Sequence, residues 1–357
     1  MTSLPNLRID GDRLWDAILE TARFGATDKG GVRRLTLFDG ILGTLAALEV
    51  VRTLNDAGIE TEAPLCVCNW TNEEGSRFAP ALMGSLAHVG DFTVEDILSR
   101  TDAEGVSVAQ ALDAIGYRGP QAVGAQPLSG FVELHIEQGP ILEAEGKTIG
   151  VVEHGQGIIW YNGRITGFES HAGSTPMLLR RDALAALSEI VLAIEGLAIA
   201  HGPHAVGTVG EAVIATPSRN VIPGEIAFSG EFRSPDADTL ETVHQGLQEK
   251  VAEIAARRRV AIALDVVWRK APTHFAPAVI NAVRGAADHL GLSHRPMVSG
   301  AGHDAFSLAA LVPTAMIFVP CKDGVSHNEL ESAEKTDCVA GANVLLHAVL
   351  SLAGGPA

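Results

Sequence analysis

The stretch Ile158-Ile-Trp-Tyr-Asn-Gly-Arg-Ile-Thr166 predicts a strand that opens a compact α+β unit in the middle of the chain. The segments that follow predict a helix, two strands, a second helix and a last strand, at Met177–Ala200, Ala205–Ala215, Gly224–Phe232, Asp238–Ala256 and Val260–Trp268. This order is typical of a sandwich of two helices on four strands. Glu189 and Glu195 interrupt the apolar stretch at 184–200, which indicates a helix on a protein core rather than a membrane span.

The residues on either side of this unit alternate between helix and strand patterns. Before it, the sequence predicts helices at Arg13–Arg23 and Gly40–Ala57, a buried central strand at Ala63–Trp70, and strands at Leu134–Glu137 and Thr148–Glu153. After it come helices at Pro277–Leu290 and behind His303, a strand at Pro313–Val319 and a helix at Lys335–Leu352. We therefore predict a larger α/β domain formed by 1–157 and 275–357, with a smaller lid-like domain inserted at 158–274.

The composition excludes several classes of partner. A net charge of -17 and a pI near 5.1 leave no basic surface for nucleic acid or for an anionic membrane. The four cysteines, Cys66, Cys68, Cys321 and Cys338, have no CxxC spacing, which favours buried, reduced thiols. The charged start of the chain is unlike a signal peptide. We expect a cytoplasmic protein.

Four separated runs, at 38–40, 72–75, 135–139 and 326–329, carry residue types that bind catalytic metals. Hydrolytic metal sites use carboxylates and imidazoles beside a further carboxylate that takes a proton from water. Glu73 and Glu74 follow an apolar run, and a solvated acidic turn is their alternative reading. Asp39 stands where a helix begins, so it is also suited to be an N-cap. His135 in an apolar strand is more often a core residue than a ligand, and His327 in a polar loop is more often simply exposed.

Four further residues are candidates for binding a substrate or stabilising charge. His171 precedes the first helix of the inserted unit, where an ordinary loop explains it nearly as well. Asn220 and Arg233 lie at strand ends of that unit, and arginine is suited to a bidentate grip on a carboxylate, although a surface salt bridge is the usual alternative. His303 heads a helix whose backbone amides suit an anion. The neighbouring glycines lack the GxGxxG spacing of dinucleotide sites.

Taken together, six runs resemble the hydantoinase/carbamoylase family of aminoacylase-like amidohydrolases. They are Thr71-Asn-Glu-Glu-Gly-Ser-Arg-Phe78, His135-Ile-Glu-Gln-Gly-Pro140, His171-Ala-Gly173, Ser218-Arg-Asn-Val-Ile-Pro-Gly224, Gly300-Ala-Gly-His-Asp-Ala305 and Ser326-His-Asn328. This branch contains N-carbamoyl-L-amino acid hydrolase, beta-ureidopropionase and allantoate amidohydrolase. The resemblance implies an aminoacylase/zinc-carboxypeptidase-like α/β catalytic domain with an inserted α+β dimerisation domain, and hence a homodimer.

The resemblance also implies a centre for two divalent ions, such as zinc or manganese. By motif, Asp39 would bridge the two ions, His135 would complete one site, and Glu74 with His327 would complete the other. Glu73 would act as the general base. The implied reaction is hydrolysis of the ureido C–N bond of an N-carbamoyl-L-amino acid or related ureido acid, which releases the amino acid, ammonia and carbon dioxide.

Five other residues receive roles from the same resemblance. His171 and His303 would stabilise the oxyanion that forms at the ureido carbonyl. Gln138, Asn220 and Arg233 would hold the substrate, with Arg233 on its carboxylate. An aminoacylase or dipeptidase of the wider superfamily is an alternative reading of the same motifs.

In the family, a segment of several tens of residues with a His-x-Asp-Thr motif lies between two runs that this chain joins directly. Here Lys29–Leu37 runs straight into Phe38-Asp-Gly40, and no histidine precedes His88. The resemblance then leaves one metal site with three ligands and the other with two, and a lost ligand weakens binding. A catalytically impaired or silent family member is therefore a second alternative.

Overall fold

We analysed a computed structural model, which describes residues 6–24 and 38–354. The chain divides into two compact units. The first, called the catalytic unit below, comprises Met1–Glu153 and His274–Ala357, and the inserted unit comprises His154–Thr273. The run Lys29–Leu37, which carries the junction noted above, lies outside the described residues.

The helices and strands are numbered in chain order over the described residues. The helices are α1 (Gly11–Ala22), α2 (Ile41–Ala57), α3 (Met83–Val89), α4 (Val94–Ser99), α5 (Val108–Ala114), α6 (Ile141–Glu145), α7 (Ala183–Ala200), α8 (Ala237–Arg258), α9 (Pro277–His289), α10 (Asp304–Leu308) and α11 (Lys335–Leu352). The strands are β1 (Phe131–Ile136), β2 (Ile149–Gly155), β3 (Gly157–Thr166), β4 (Ser170–His171), β5 (Val206–Ile214), β6 (Val221–Ile222), β7 (Glu225–Ser234), β8 (Ala261–Lys270), β9 (Thr273–His274), β10 (His294–Ser299) and β11 (Thr314–Val319).

A mixed sheet organises the catalytic unit, with the strand order β1-β11-β2-β10 and β9 paired to β2. Strand β1 runs parallel to β11, which places His135 opposite Phe318. Every residue of β11 is buried, as expected for a central strand with both faces covered. Helices α2, α9 and α11 contribute to the same hydrophobic core as β1 and β11. Helix α2 ends as predicted at Gly58, which adopts the left-handed conformation that glycine tolerates.

The prediction of a buried central strand at Ala63–Trp70 is wrong. None of the described strands pairs with this segment, and its residues alternate between half-buried and exposed. The ring of Trp70 lies 6.3 Å from that of Phe131 in β1, so the side chains meet without a hydrogen-bonded ladder. Apolar composition predicts burial, but a strand also requires a partner for its backbone groups.

The inserted unit is the α+β sandwich that the sequence predicts. Its four-stranded antiparallel sheet has the order β5-β7-β3-β8, and α7 and α8 bury one face of it in a core separate from that of the catalytic unit. Helix α7 begins at Ala183 and not at Met177, because the side chain of Asp182 caps it by accepting the backbone N–H groups of Leu184 and Ala185. The predicted fold class is confirmed.

Helix α7 is the one described helix that is long and apolar enough to cross a membrane by length and composition. Its buried side, which includes Leu187, Ile190 and Ile194, packs in the core of the inserted unit, as the sequence predicts. The opposite side exposes Leu192 and Ile199. The helix therefore belongs to a protein core on one side and presents an apolar surface on the other.

All four cysteines are free, but only two of the thiols are buried as predicted. Cys321 and Cys338 are buried, while Cys66 is exposed and Cys68 is half-buried. The difference has the same origin as the missing strand, because Cys66 and Cys68 both lie in the segment that pairs with none of the described strands.

Candidate metal centre

Strand β1 and the turn after it deliver polar side chains to one edge of the sheet. Side chains alternate along a strand, so Glu133 and His135 share one face while Leu134 and Ile136 enter the core. The chain then turns at Gln138, whose φ is 55°. An otherwise apolar strand and the turn after it thus supply a carboxylate, an imidazole and an amide to the same edge of the sheet.

Asp39 lies at the centre of this place, with a side chain that is only 3% exposed. Its Oδ1 is 2.8 Å from His135 Nε2. Its Oδ2 accepts hydrogen bonds from Gln138 Nε2 at 2.6 Å and Ser326 Oγ at 2.9 Å, and lies 3.4 Å from His327 Nε2. The two oxygens thus face two different histidines, the arrangement that a bridging carboxylate needs.

The N-cap reading of Asp39 is wrong. The N-cap of α2 is Gly40, with φ of 71°, and no side chain caps that helix end. Glu331 instead fixes the backbone at Asp39, because its Oε1 accepts the N–H groups of Phe38 at 2.6 Å and Asp39 at 3.1 Å. Glu331 is buried, and sequence reasoning missed it. Its position three residues after the Ser326-His-Asn328 run offered no separate signal.

The loop that carries His327 reaches Asp39 because of a close backbone contact. A Cβ added to Gly324 would stand 2.7 Å from Gly139 C, so glycine is required for this loop to approach the turn after β1. His327 Nε2 lies 3.4 Å from both Asp39 Oδ2 and Glu74 Oε2. Asp39, Glu74 and His327 each offer a ligand atom within 4.8 Å of the others.

Glu73 and Glu74 lie in a loop that is stabilised by hydrogen bonds across it. The Asn72 amide donates to the carbonyl oxygen of Phe78 at 2.7 Å, and the N–H of Leu82 donates to the carbonyl of Glu73 at 2.7 Å. Burial, followed by the charges of Asp304 and Glu74, raises the pKa of Glu73 to about 8. A carboxyl group with such a pKa is suited to proton transfer near neutral pH.

The remaining groups of the centre also have shifted pKa values. Burial works to raise the pKa of Asp39, but the hydrogen bond and charge of His135 lower it to about 2. Burial works to lower the pKa of His135, but Asp39 raises it to about 9. Burial and the charge of Asp39 raise the pKa of Glu74. The carboxylate of Asp39 and the imidazole of His135 thus shift each other's pKa in opposite directions.

A second cluster of possible ligands, Glu133, His135 and His303, adjoins the first, because His135 Nε2 is 2.8 Å from Asp39 Oδ1. His303 is buried, and its ring stands 4.5 Å from that of His135, centroid to centroid. Sequence reasoning missed Glu133, although its place two residues before His135 on a strand was the available signal. The sequence-predicted residues Asp39, Glu74, His135, Gln138 and His327 are thus brought together, with His303 behind His135.

The other three predicted residues belong to the inserted unit. His171 in β4 accepts the N–H groups of Gly173 and Ser174 on Nδ1, both at 3.1 Å, and the N–H of Ala172 donates to the carbonyl of Asn220 at 2.8 Å. Two loops that carry sequence motifs therefore meet. In β7, Glu231 accepts two hydrogen bonds from the guanidinium of Arg233, at 3.1 and 3.0 Å.

The residues of the first cluster fit a divalent cation. Two carboxylates and an imidazole are suitable donors for zinc or manganese. The supporting observation is the neighbouring His135, whose Nδ1 is 2.8 Å from the carbonyl oxygen of Ile136, which directs Nε2 toward Asp39 Oδ1 at 2.8 Å. Glu73 stands beside these donors as the unligated carboxylate.

Comparison with known proteins agrees with this chemistry. The sequence model that describes the peptidase family M20/M25/M40 matches residues 13–351 of this chain. An N-carbamoyl-L-amino-acid amidohydrolase of Rhizobium meliloti is 40% identical over 98% of this chain and 98% of its own length. The crystal structure of an amidase of the hydantoinase/carbamoylase family from Burkholderia multivorans is 44% identical, with a TM-score of 0.95 over 98% of this chain and 100% of that chain.

The chain belongs to the hydantoinase/carbamoylase amidases of the M20/M25/M40 family. An allantoate amidohydrolase of Escherichia coli is also similar, with 34% identity over 88% of this chain and 77% of its own length. The recognition made from the six motifs is confirmed. Membership makes the chain a metal-dependent amidohydrolase and does not favour the silent-protein or peptidase alternatives.

The alignment with the Rhizobium relative spans 406 positions, whereas this chain has 357 residues. The difference between 406 and 357 means that at least 49 positions of the alignment have no residue in this chain. A missing segment with the first histidine ligand stays a prediction. If that segment is missing from this hydantoinase/carbamoylase amidase, the second metal site needs another donor in place of the first histidine to hold an ion.

Proposed function

We propose that this amidase hydrolyses N-carbamoyl-L-amino acids or related ureido acids, releasing the free amino acid, ammonia and carbon dioxide. The observation that carries the proposal is the convergence of Asp39, Glu74 and His327 from three separate parts of the chain, with His135 adjoining Asp39. The names of the relatives indicate the ureido group as the substrate class.

The metal ligands in this proposal are Asp39, Glu74 and His327, with zinc or manganese as the ion. Such a cation lowers the pKa of water and polarises a carbonyl group when it is bound. Asp39 presents one oxygen to each histidine, and Glu331 holds the backbone that positions it.

Glu73 is the general base in the proposed reaction. Its carboxylate accepts the proton of the attacking water and later delivers it to the leaving nitrogen as the C–N bond breaks. The burial and the neighbouring carboxylates that raise its pKa also make it a competent proton donor in that second step. Its neighbour Glu74 faces His327 and serves as a ligand, so the two adjacent carboxylates have different tasks.

Gln138 recognises the ureido group in this proposal. Its Nε2 donates to Asp39 Oδ2 at 2.6 Å, while its Oε1 is buried without a partner among the described residues. A buried acceptor of this kind is satisfied by an N–H donor of a ligand, and a ureido group has such donors. The proposal also keeps the roles of His171 on the oxyanion, Asn220 on the substrate and Arg233 on its carboxylate.

We extend the proposal to a homodimer formed through the inserted unit in the cytoplasm. The outer side of α7 exposes Leu192 by 65% and Ile199 by 74%, and β5 at the sheet edge beside this helix exposes Val213. An apolar helix surface next to an open strand edge is suited to association with a second copy. The free cysteines are those of a protein in a reducing compartment.

The test is a panel of N-carbamoyl amino acids, N-acyl amino acids and dipeptides, assayed with the zinc- and manganese-loaded protein. Turnover restricted to the ureido substrates supports the proposal. A matched pair of variants assigns the carboxylates: Glu73→Gln should lose turnover by roughly 10²- to 10⁴-fold with its metal content intact, whereas Glu74→Gln should lose metal. Preferential cleavage of N-acyl or dipeptide substrates would contradict the proposal.

A further inference from the structure

The cluster of Glu133, His135 and His303 lies next to the first cluster but uses two residues that no role above requires for metal binding. Each of the three residues offers a ligand atom within 4.8 Å of the others. The Glu133 side chain is 17% exposed, whereas His135 and His303 are almost fully buried. The cluster is therefore an interior group with access from one side.

The spacing of these side chains suits a shared cation better than a hydrogen bond. His303 Nδ1 lies 3.7 Å from Glu133 Oε1, which is too long for a hydrogen bond. Two ligands on a tetrahedral zinc ion stand about 3.4 Å apart, given metal–ligand bonds of about 2.1 Å. A small adjustment of either side chain therefore brings both atoms to the distance that one ion requires.

The orientation of each side chain is held by a contact that leaves a donor atom available. Glu133 Oε2 accepts the N–H of Ala305 at 2.8 Å, so Oε1 is available for a cation. His135 Nδ1 is engaged with the carbonyl oxygen of Ile136 at 2.8 Å, so Nε2 is the available nitrogen. Contacts of this kind orient metal ligands in known sites.

His303 supplies an independent observation. Its Nδ1 stands 3.7 Å from Glu133 Oε1 and its Nε2 has no hydrogen-bond partner among the described residues, so no described hydrogen bond accounts for the burial of this imidazole. A role on the oxyanion stays a prediction for His303, whose buried ring stands 4.5 Å from that of His135. A cation bound at this imidazole gives it a function in the interior.

We propose that Glu133, His135 and His303 bind a second divalent cation of the zinc type, at a position that needs no histidine from a His-x-Asp-Thr segment. Two imidazoles and one carboxylate form a set that zinc uses with a fourth position open. Asp39 Oδ1, 2.8 Å from His135 Nε2, faces the same nitrogen, so loading this site transfers His135 from Asp39 to the cation. The inference rests on the proposed function, because it adds the second ion of that centre.

The first measurement is the position of zinc in crystals of the zinc-loaded full-length chain, found by anomalous scattering at the zinc edge. The expected result is one peak within bonding distance of Asp39, Glu74 and His327 and a second within bonding distance of Glu133 and His303. A second peak on Asp39 and His135 that does not contact Glu133 or His303, or no second peak, overturns the proposal without recourse to any variant.

The second measurement counts zinc by competition with a chromophoric chelator after the protein has been stripped of metal. The wild-type chain should bind two ions, and His303→Ala and Glu133→Gln should each bind one. His347→Ala, which removes a half-buried imidazole elsewhere in the catalytic unit, should keep two. Two tightly bound ions in both His303→Ala and Glu133→Gln would contradict the assignment.

Ureido hydrolysis assayed on the same samples separates the two proposals. Zinc at Glu133 and His303 in a protein that hydrolyses no ureido substrate removes the proposed function and leaves this site. Hydrolysis by a protein that binds zinc only at Asp39, Glu74 and His327 removes this site and leaves the proposed function.

Discussion

Asp39 and His135 face each other across 2.8 Å in the interior of the catalytic unit, and each shifts the pKa of the other. The pKa of His135 is raised to about 9, so its contribution to stability is complete below its unfolded value of about 6.5 and is lost as the pH rises through 9. The pKa of Asp39 is lowered to about 2, so its contribution is present above about 3.8 and is lost as the pH falls through 2.

The metal-free protein should therefore unfold at progressively lower denaturant concentration as the pH rises from 6.5 to 9. Zinc affinity should rise over the same range, because the cation competes with the proton on His135. Urea unfolding and chelator competition at several pH values measure both quantities. His135→Asn should abolish the decline in stability, and a decline that persists in this variant would assign it to another group.

Removal of the Glu331 carboxylate should loosen the backbone at Asp39. Glu331→Ala leaves the buried N–H groups of Phe38 and Asp39 without their acceptor, which costs about 2–4 kcal/mol in the free energy of unfolding. It should also weaken metal binding. The exposed Glu20 provides the control, since Glu20→Ala should change neither quantity. Unfolding curves and zinc titrations of both variants measure the two quantities. Equal effects of Glu331→Ala and Glu20→Ala would refute this role of Glu331.

Two glycine substitutions should have opposite effects on stability. A Cβ at Gly43 in α2 would stand 2.5 Å from the carbonyl oxygen of Leu134 in β1, so Gly43→Ala should destabilise the protein by about 1–3 kcal/mol. A Cβ at Gly196 in α7 meets nothing within 4 Å, so Gly196→Ala should stabilise it by about 0.5–1 kcal/mol. Chemical denaturation measures both values. Equal destabilisation by the two changes would show that helix–strand contact is not the cause.

Arg233→Lys should raise KM for an N-carbamoyl amino acid by about tenfold, on the order of 1.4 kcal/mol, with a smaller change in kcat. Lysine keeps the charge but lacks the planar guanidinium, whose orientation in Arg233 is fixed by two hydrogen bonds to Glu231. Arg164→Lys is the matched control, because Arg164 forms an exposed ion pair with Glu225 in the same sheet. Steady-state kinetics that show equal KM changes in both variants would remove Arg233 from carboxylate binding.

A charge on the outer side of α7 should dissociate the proposed homodimer. Leu192→Glu places a carboxylate on the exposed apolar side of this helix, so sedimentation velocity should show monomers. Ile115→Glu introduces the same charge at an exposed position of the catalytic unit and should leave the dimer intact. A wild-type protein that sediments as a monomer at micromolar concentration would contradict the dimer itself.

Local pattern was sufficient where one element supplies its own signals. Helix α11 has the bounds that the sequence predicts, and Gly58 ends α2 as expected. The segment at 63–70 was predicted wrongly because its apolar residues describe burial, whereas a strand depends on a partner that is remote in sequence. Helix α7 starts at Ala183, later than the predicted Met177, because the side chain of Asp182 accepts the first free N–H groups of the helix.

The site was predictable as far as its motifs extend. Asp39, Glu74 and His327 were recognised by type and order, and the structure brings them together. Glu133 and Glu331 were not, because their importance comes from what they touch. Glu133 gains its meaning from the burial of His303 beside it, and Glu331 from the backbone of Asp39. Such relationships exist only after folding.

Strand β1 separates hydrocarbon from ionisable groups by the alternation of six residues, with Leu134 and Ile136 on one side and Glu133 and His135 on the other. A shift of one residue in the register of β1 against β11 would turn the carboxylate and the imidazole into the hydrophobic core and turn the two aliphatic side chains out of it. Insertions or deletions within this strand would therefore disrupt folding and chemistry at once, and the turn after it has the same constraint, because Gln138 there contacts Asp39 and Gly139 lies against Gly324.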